Sequence, residues 1–338
     1  MRFYQYLPFL ESREIHVETA ALLDNSYIRN LNSGSSINWH SVLNSYAKRV
    51  WSLAKSGRFD LVWIEAETLP WLPDWGERWL AWKRLPYVVD YDDAAFHRYD
   101  LHPTALVRWM LGHKIDAVMR RAALVVAGNS YLASRARRAG SARVEILPTV
   151  VDLRRYPYPP PSSHQGNEFV IGWIGSQSTA PYLLALLEVF RRATFWEHTS
   201  LRLVGPGRLQ LPGVPAEVMN WSEESEVQAI QGFSVGIMPL QDDPWALGKC
   251  GYKLIQYMAC GLPVTASPVG VNCEIVEHGL TGYLAGTVAE WLRALGRLRR
   301  QPQLREELGR AGRRRVENDY SLEIAAPRLA ELLTSAAK

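Results

Sequence analysis

Residues 168–190, EFVIGWIGSQSTAPYLLALLEVF, combine an apolar run, a short turn of small residues and a second apolar stretch with helical spacing. The first run predicts a buried strand and the second predicts the helix that follows it. Gly175 and Ser176 lie in the turn between them, where the backbone can approach a ligand closely. Free N–H groups at such a helix start suit a phosphate, although a plain βα turn with a helix cap has the same pattern.

Further apolar runs alternate with amphipathic stretches along the chain, which predicts an α/β protein with parallel sheets and crossover helices. A Pro-, Ser- and Gly-rich segment, YPYPPPSSHQGNE, predicts a linker and a domain boundary near residues 156–167. The predicted strands lie in EIHVETAAL, FDLVWIEA, LPYVVDYDD, AALVVAGN, ARVEILPTVVD, EFVIGWIGS, TSLRLVGPG, FSVGIMPL and LPVTASPVG.

The composition fits a two-domain protein that stays in the cytosol. The chain has 338 residues, and its three cysteines (Cys250, Cys260, Cys273) have no CxxC spacing, which favours reduced thiols over disulfides or zinc. No run of about 18 apolar residues and no signal-peptide pattern is present. Residues 1–160 hold 21 Lys and Arg against 16 Asp and Glu. This basic half is compatible with nucleic acid or an anionic membrane. The Arg-rich stretch GRLRRQPQLREELGRAGRRR, however, predicts a solvated helix pair, so no nucleic-acid partner is expected.

Residues 242–284 carry the densest set of candidate ligand-binding groups. If a helix starts near Gly248, then Lys249, Lys253 and Gln256 share one face at i, i+4 and i+7. Two lysines at a helix start would bind a diphosphate without a metal ion, because Gly248 and Gly251 have no side chains and let the ligand approach the backbone. A solvated basic face is the alternative.

The same segment resembles the signature region of the retaining family-4 glycosyltransferases, which have the GT-B fold. QYMACGLPVTAS, GVNCEIV and EHGLTGYL match the family's successive motifs, and AGNSYLASRARRAGSARVEILPTVVDLRRY matches the end of its first domain. VGPGR and FSVGIMPLQDD also match in place.

The resemblance implies two Rossmann-like domains facing across a cleft. Residues 1–160 would form the acceptor domain, residues 161–318 the donor domain, and residues 319–338 a helix that returns to the first domain. It implies transfer of a sugar from a nucleoside-diphosphate sugar to a glycan or lipid-linked acceptor, with retention and without a metal or other cofactor. The donor-binding residues implied by the matching positions are Gly175, Ser176, Gly205, Lys249, Gly251, Lys253, Gln256 and Glu274.

This sequence departs from the family pattern at two places. The family's two glutamates in this region fall on Gly248 and Gln256, and the Arg and Lys that often follow the first donor-domain strand are absent from WIGSQSTAP. We expect Gln256 to keep a ribose contact and Lys249 and Lys253 to supply the missing charge.

In the first half, VVDYDDAAFHRYD places Asp92, Asp93 and His97 after a predicted strand, where α/β folds carry ligand groups. We expect these three to orient the acceptor hydroxyl or the donor sugar. Helix capping by the two aspartates is the alternative.

Two aromatic and basic stretches, LPWLPDWGERWLAW and ALVRWMLGHKIDAVMRRAA, could touch a membrane that carries a lipid-linked acceptor. Core or interface packing is the alternative for their tryptophans.

The departures from the family pattern leave two rival functions open. A nucleotide-sugar epimerase and a non-catalytic nucleotide-sugar-binding protein are the rival functions. A nicotinamide dehydrogenase is disfavoured because no G-x-G-x-x-G follows a strand.

The chain opens with a helix-like stretch at Phe3–Leu10. The family's first strand and glycine-rich loop would precede this helix, and we expect roughly 20–25 upstream residues to supply them in the natural protein.

Overall fold

The computed structural model of the chain describes residues 2–23, 38–158 and 168–338. Its residues divide into two compact units. The first comprises Phe3–Leu147 and Ala326–Lys338, and the second comprises Arg2 and Pro148–Ala325. No helix in these described ranges is long and apolar enough to cross a bilayer.

The first unit has a four-stranded parallel sheet in the order β1-β2-β3-β4. Strands β2 and β3 are buried at every residue, because each has a strand on both sides and their apolar runs face helices. The strands are Val62–Glu65 (β1), Tyr87–Tyr91 (β2), Leu124–Ala127 (β3) and Val144–Ile146 (β4). The helices are Leu7–Ser12 (α1), Trp39–Ala54 (α2), Trp75–Trp82 (α3), His97–Asp100 (α4), Ala105–Leu111 (α5), Lys114–Arg121 (α6) and Ser130–Arg138 (α7).

The second unit has a six-stranded parallel sheet in the order β10-β9-β8-β5-β6-β7. Its strands are Phe169–Ile174 (β5), Thr199–Val204 (β6), Glu217–Met219 (β7), Val235–Met238 (β8), Val264–Ala266 (β9) and Gly282–Leu284 (β10). Its helices are Leu187–Ala193 (α8), Glu226–Gln231 (α9), Pro244–Leu247 (α10), Tyr252–Ala259 (α11), Asn272–Ile275 (α12), Val288–Arg300 (α13) and Pro302–Asp319 (α14). Helix α15, Leu322–Ala336, begins in this unit and ends in the first.

The order in which the chain adds strands to this sheet reverses between β5 and β8. From β5 it runs outward through β6 and β7, then returns to β8 beside β5 and runs outward through β9 and β10. In doubly wound sheets the crevice beyond the carboxyl ends of the strands at such a switch point is where ligands bind. The topology therefore predicts that a ligand site is formed by the residues that follow β5, β6 and β8.

The predicted α/β class with parallel sheets is confirmed, and eight of the nine predicted strands are present. The strand predicted in EIHVETAAL is wrong, since residues 15–20 have no regular structure. A strand is stabilised by its ladder, and the paired order β1-β2-β3-β4 gives this segment no neighbour. The family's first strand, expected upstream of Phe3–Leu10, has no open place between two strands of the described sheet, because its four strands pair in succession.

The division between the units falls at Leu147, earlier than the boundary expected at residue 160. The reason is that Val151 joins the second unit's backbone, donating to the Tyr320 carbonyl at 3.1 Å and accepting from the Leu322 N–H at 2.9 Å. Tyr156 is also buried in the second unit's core.

Candidate functional site

Three successive strands of the second unit end at one glycine-lined turn. The Gly175 N–H donates to the Val204 carbonyl at 3.0 Å, and the Gly205 N–H donates to the Met219 carbonyl at 2.9 Å. Gly205 has a φ of +74°, and a Cβ there would lie 2.4 Å from the Gly175 carbonyl oxygen. Only glycine fits this position, so the backbone at the ends of β5 and β6 is brought into close contact.

Lys253 of α11 reaches the same turn from a distant part of the sequence. A Cβ on Gly175 would lie 2.6 Å from Lys253 Cε and 2.5 Å from Trp173 Cζ2. The Lys253 ammonium is 5.7 Å from the centroid of the Trp173 ring, within cation–π range. The structure thus brings together two segments that the sequence singled out separately.

The helix predicted to start near Gly248 starts later, at Tyr252. Gly251 has a left-handed φ of +68° that ends the preceding turn, and a Cβ there would lie 2.2 Å from Ile275 Cδ1. Lys249 therefore lies outside the helix, and its expected helical face with Lys253 is wrong. The helix start has no side-chain cap, so the first N–H groups of α11 remain suited to an anion.

Gln256 does not lie on a solvent-facing side of α11, as the helical-face interpretation required. It is buried, and its Nε2 donates to Tyr156 Oη at 3.2 Å. Helix α14 packs against α11: the Arg313 guanidinium donates to the Tyr156 carbonyl at 2.7 Å and also to the Ala259 carbonyl. A helix enclosed by a sheet and a second helix has little exposed face left.

A buried carboxylate beside Gln256 was not expected from the sequence. Trp221 Nε1 donates to Glu226 Oε2 at 3.1 Å, and Arg155 Nη2 donates to Glu226 Oε1 at 3.2 Å. Burial raises the pKa of Glu226, against the opposing effects of Trp221 and Arg155. The Trp221 ring remains partly exposed, and its Cβ lies 3.1 Å from where a Gly205 Cβ would stand. The position of Trp221 just after the end of β7 is the signal that could have identified this residue from the sequence.

Ser176 and Glu274, the other expected donor-binding residues, are both exposed. Ser176 is exposed, with its Oγ 2.8 Å from Ser178 Oγ, and a 3₁₀ helix at Ala180–Leu186 follows. Glu274 is exposed on α12, next to the Ile275 that packs against Gly251. Asp243 caps α10 by accepting from the Ala246 N–H at 2.8 Å, so its carboxylate has a structural role.

In the first unit the acceptor-side candidates follow β2. Asp92 is exposed, whereas Asp93 Oδ1 accepts from the Ala94 N–H at 2.8 Å, as a turn-capping group does. His97 is buried, with Nδ1 2.7 Å from Asp100 Oδ1 and Nε2 2.8 Å from Tyr131 Oη. Both ring nitrogens are engaged, so His97 orients Tyr131. The sequence did not suggest Tyr131, which follows β3 at the neighbouring strand end.

Residues 168–301 match the family described as glycosyl transferases group 1. One curated relative, the D-inositol 3-phosphate glycosyltransferase of Pseudarthrobacter chlorophenolicus, is 31% identical over 112 residues, which are 32% of this chain and 24% of that protein. The chain thus spans about a quarter of the length of that relative.

Solved structures resemble the chain over most of its length. Sucrose-phosphate synthase from Thermosynechococcus elongatus has a TM-score of 0.68 at 18% identity and covers 89% of this chain and 80% of its own. Anabaena HepE in complex with UDP-glucose has a TM-score of 0.68 at 16% identity, over 97% of this chain and 88% of its own. The chain has the GT-B fold. The fold expected from the motifs is therefore confirmed, and in this GT-B protein the glycine-lined turn with Lys253 lies in the segment that matches the group 1 family.

Proposed function

We propose that the protein is a retaining, family-4-type glycosyltransferase that moves a sugar from a nucleoside-diphosphate sugar to an acceptor hydroxyl. The observation that carries the proposal is the contact of Lys253 with Gly175 beside the close approach of Gly205. A cation, an uncapped helix start and a glycine-lined turn meet at the switch point of a doubly wound sheet. These are the groups that hold a diphosphate.

In this proposal the diphosphate lies between the turn at Gly175–Ser176 and the start of α11. Lys253 neutralises its charge directly, and Lys249 adds to the positive potential from the preceding turn. Trp221 offers an aromatic face for the nucleobase, because its N–H is fixed by Glu226 while its ring stays accessible. Gln256 acts through Tyr156 and Glu226, which it holds in place, and Glu274 lies nearer the sugar.

The chemistry requires no protein nucleophile. The bond from the sugar's anomeric carbon to the diphosphate oxygen breaks, and a bond from that carbon to the acceptor oxygen forms on the same face. The acceptor proton passes to the leaving diphosphate oxygen. Lys253 stabilises the negative charge that develops there, which makes a metal ion unnecessary. Asp92 and Asp93 orient the acceptor, with Tyr131 held by His97.

The acceptor in this proposal is a glycan or a lipid-linked sugar, as in the synthesis of cell-envelope polysaccharide or glycolipid. The reaction would take place in the cytoplasm, at the inner face of the membrane where the acceptor is lipid-linked.

One observation favours a second candidate, donor binding without transfer. Gly248 stands where the resemblance places a carboxylate near the sugar, and glycine has no group to replace it. The diphosphate site would then be intact while the sugar is not oriented for reaction.

The test is release of nucleoside diphosphate from a panel of nucleoside-diphosphate sugars, with and without glycan or lipid-linked acceptors. We expect acceptor-dependent release that persists in EDTA and is lost in Lys253→Ala but retained in Lys48→Ala, an exposed lysine of the first unit. Donor binding without release would select the second candidate. Product formed equally without acceptor, or activity lost in EDTA and restored by Mn²⁺, would contradict the proposal.

A further inference from the structure

Helix α3 presents a row of tryptophans to solvent. Trp75, Trp79 and Trp82 recur at i, i+4 and i+7, and their exposed fractions are 57%, 38% and 70%. The opposite side of the helix, at Gly76, Glu77 and Leu80, is buried. Because tryptophan is the largest apolar side chain, three on one exposed helix face form a patch of the kind that marks an interaction site.

This row is held in place from beneath. Glu77 Oε1 accepts from the Thr68 N–H at 2.6 Å inside the unit, and Trp79 Nε1 donates to the Leu53 carbonyl of α2 at 3.2 Å. A Cβ at Gly76 would lie 2.2 Å from Thr68 Oγ1, so this side of α3 packs closely on the loop after β1. The helix therefore cannot rotate to bury its tryptophans without losing these contacts.

Further exposed aromatic side chains lie on the loop before α3 and on α5. Trp71, also exposed, stacks edge-on against the His102 ring at 5.7 Å, and Arg108 of α5 donates to the His102 and Pro103 carbonyls. On α5, Leu106, Trp109 and Met110 are exposed at i, i+3 and i+4, with Trp109 81% exposed. We call the five tryptophans of this surface the aromatic band: Trp71, Trp75, Trp79, Trp82 and Trp109.

Exposed basic side chains accompany the aromatic band, whereas the acidic residues next to it are paired or buried: Asp74 pairs with Arg121, and Glu77 lies inside the unit. Arg78 lies between Trp75 and Trp82, and the Lys83 ammonium is 5.1 Å from the Trp79 ring centroid and 5.4 Å from that of Trp82. The sequence has no Asp or Glu at positions 78–89 or 101–115. Exposed indoles with neighbouring lysine and arginine are the composition of an element that rests in the headgroup layer of an anionic bilayer.

We infer that the aromatic band docks the first unit on a bilayer of anionic phospholipid. The packing of the rings favours lipid over a sugar chain. The Trp79 and Trp82 rings lie 5.1 Å apart at 35° with a lysine beside both, so they offer edges and not two free flat faces. Sugar rings stack on open faces, whereas the indole edge and the ammonium both suit the headgroup layer.

The experiment is flotation of the full chain with vesicles of phosphatidylcholine alone or with about one-third phosphatidylglycerol. We expect the protein to float with the anionic vesicles, and flotation to fall as salt rises. The double variant Trp75→Ser/Trp82→Ser should reduce partitioning at least about tenfold, since both most exposed rings of α3 are lost. Arg78→Glu and Lys83→Glu should each reduce it by about fivefold or more, the factor that corresponds to one basic residue near an anionic surface.

Two controls separate docking from misfolding. Trp75→Tyr/Trp82→Tyr keeps interfacial aromatic residues and should float as the unsubstituted protein does. Phe195→Ser removes an aromatic side chain that is 89% exposed in the second unit and should also float unchanged. Failure of the unsubstituted chain to bind anionic vesicles would overturn the inference, as would equal losses in the Phe195 variant. Binding to soluble acidic polysaccharide but not to vesicles would overturn it in favour of a glycan platform. Because vesicle binding is measured without donor, its failure leaves the proposed transfer activity to its own test.

Discussion

Gly251, at the start of α11, combines a left-handed backbone with a close side-chain contact, and its substitution tests both. In Gly251→Ala the backbone must hold alanine at a φ of +68°, which costs roughly 1–2 kcal/mol. The new Cβ would also lie 2.2 Å from Ile275 Cδ1, and such overpacking costs about 1–3 kcal/mol more. The expected loss in unfolding free energy is therefore about 2–5 kcal/mol, or roughly 5–15 °C in the melting temperature of the second unit.

The two contributions can be separated with matched variants. Gly279 has a φ of +82°, and no heavy atom lies within 4 Å of where its Cβ would stand, so Gly279→Ala should show the backbone cost alone. Ile275→Val deletes the Cδ1 atom, and in that background Gly251→Ala should likewise cost only about 1–2 kcal/mol. Urea denaturation of the unsubstituted protein, the three single variants and the Gly251→Ala/Ile275→Val double variant measures both costs. If Gly251→Ala costs the same with Ile275 and with Val, the close contact is not its cause, and no loss at all would refute the left-handed turn.

Two further predictions concern buried charges. Lys114 pairs with the buried Glu67, which also accepts from Tyr99 Oη at 2.8 Å and lies 3.4 Å from the more exposed Arg98. Lys114→Met should lose about 3–5 kcal/mol in urea denaturation, because the buried carboxylate loses its buried cation and keeps only the longer contact with Arg98. Lys83→Met on the surface should change stability little, and equal effects would contradict the pairing. Burial raises the pKa of Glu226, so the folded chain binds this proton more tightly than the unfolded chain does. The protonated carboxyl therefore stabilises the fold below the ordinary glutamate pKa. This stabilisation is lost as the pH rises through the pKa of the folded state. The unfolding free energy of the unsubstituted protein minus that of Glu226→Gln should therefore fall as the pH rises above the ordinary glutamate pKa of about 4.3, and a difference that rises would contradict the assigned direction.

The sequence predicted the strands whose apolar runs are long enough to be buried. Strands β2, β3, β5 and β8 are buried at every residue and, apart from Asp90 in β2, carry no charged side chain, so their apolar runs identify them without tertiary information. Strands β7 and β10 have three residues each and lie at the two edges of the sheet. An edge strand of three residues forms because a neighbouring strand pairs with it, and a local sequence pattern does not show that pairing.

The donor turn was predicted in part. Gly175 and Lys253 were each singled out by local chemistry, but their contact depends on how β5 and α11 lie in the fold. The sequence could not decide whether the helix starts at Gly248 or at Gly251, because either glycine can end a turn. In the structure Gly251 is the left-handed one, and Ile275 packs against it from a later part of the chain. The burial of Gln256 arises from α14, which lies more than 40 positions further along the chain. A local pattern could single out Trp221 after its strand, but not its cluster with Glu226 and Arg155, because Arg155 lies 71 positions before Glu226.

Isothermal titration of UDP, ADP and GDP against the unsubstituted protein, Lys253→Ala and Lys48→Ala tests the central claim most directly. We predict that the protein binds at least one of these nucleoside diphosphates without a metal ion. Lys253→Ala should weaken that binding about 10- to 150-fold, which corresponds to the loss of a charge-assisted hydrogen bond of about 1.5–3 kcal/mol. Lys48→Ala should bind as the unsubstituted protein does. Equal affinity in all three proteins, or no binding of any nucleoside diphosphate, would contradict a donor site at the Gly175 turn.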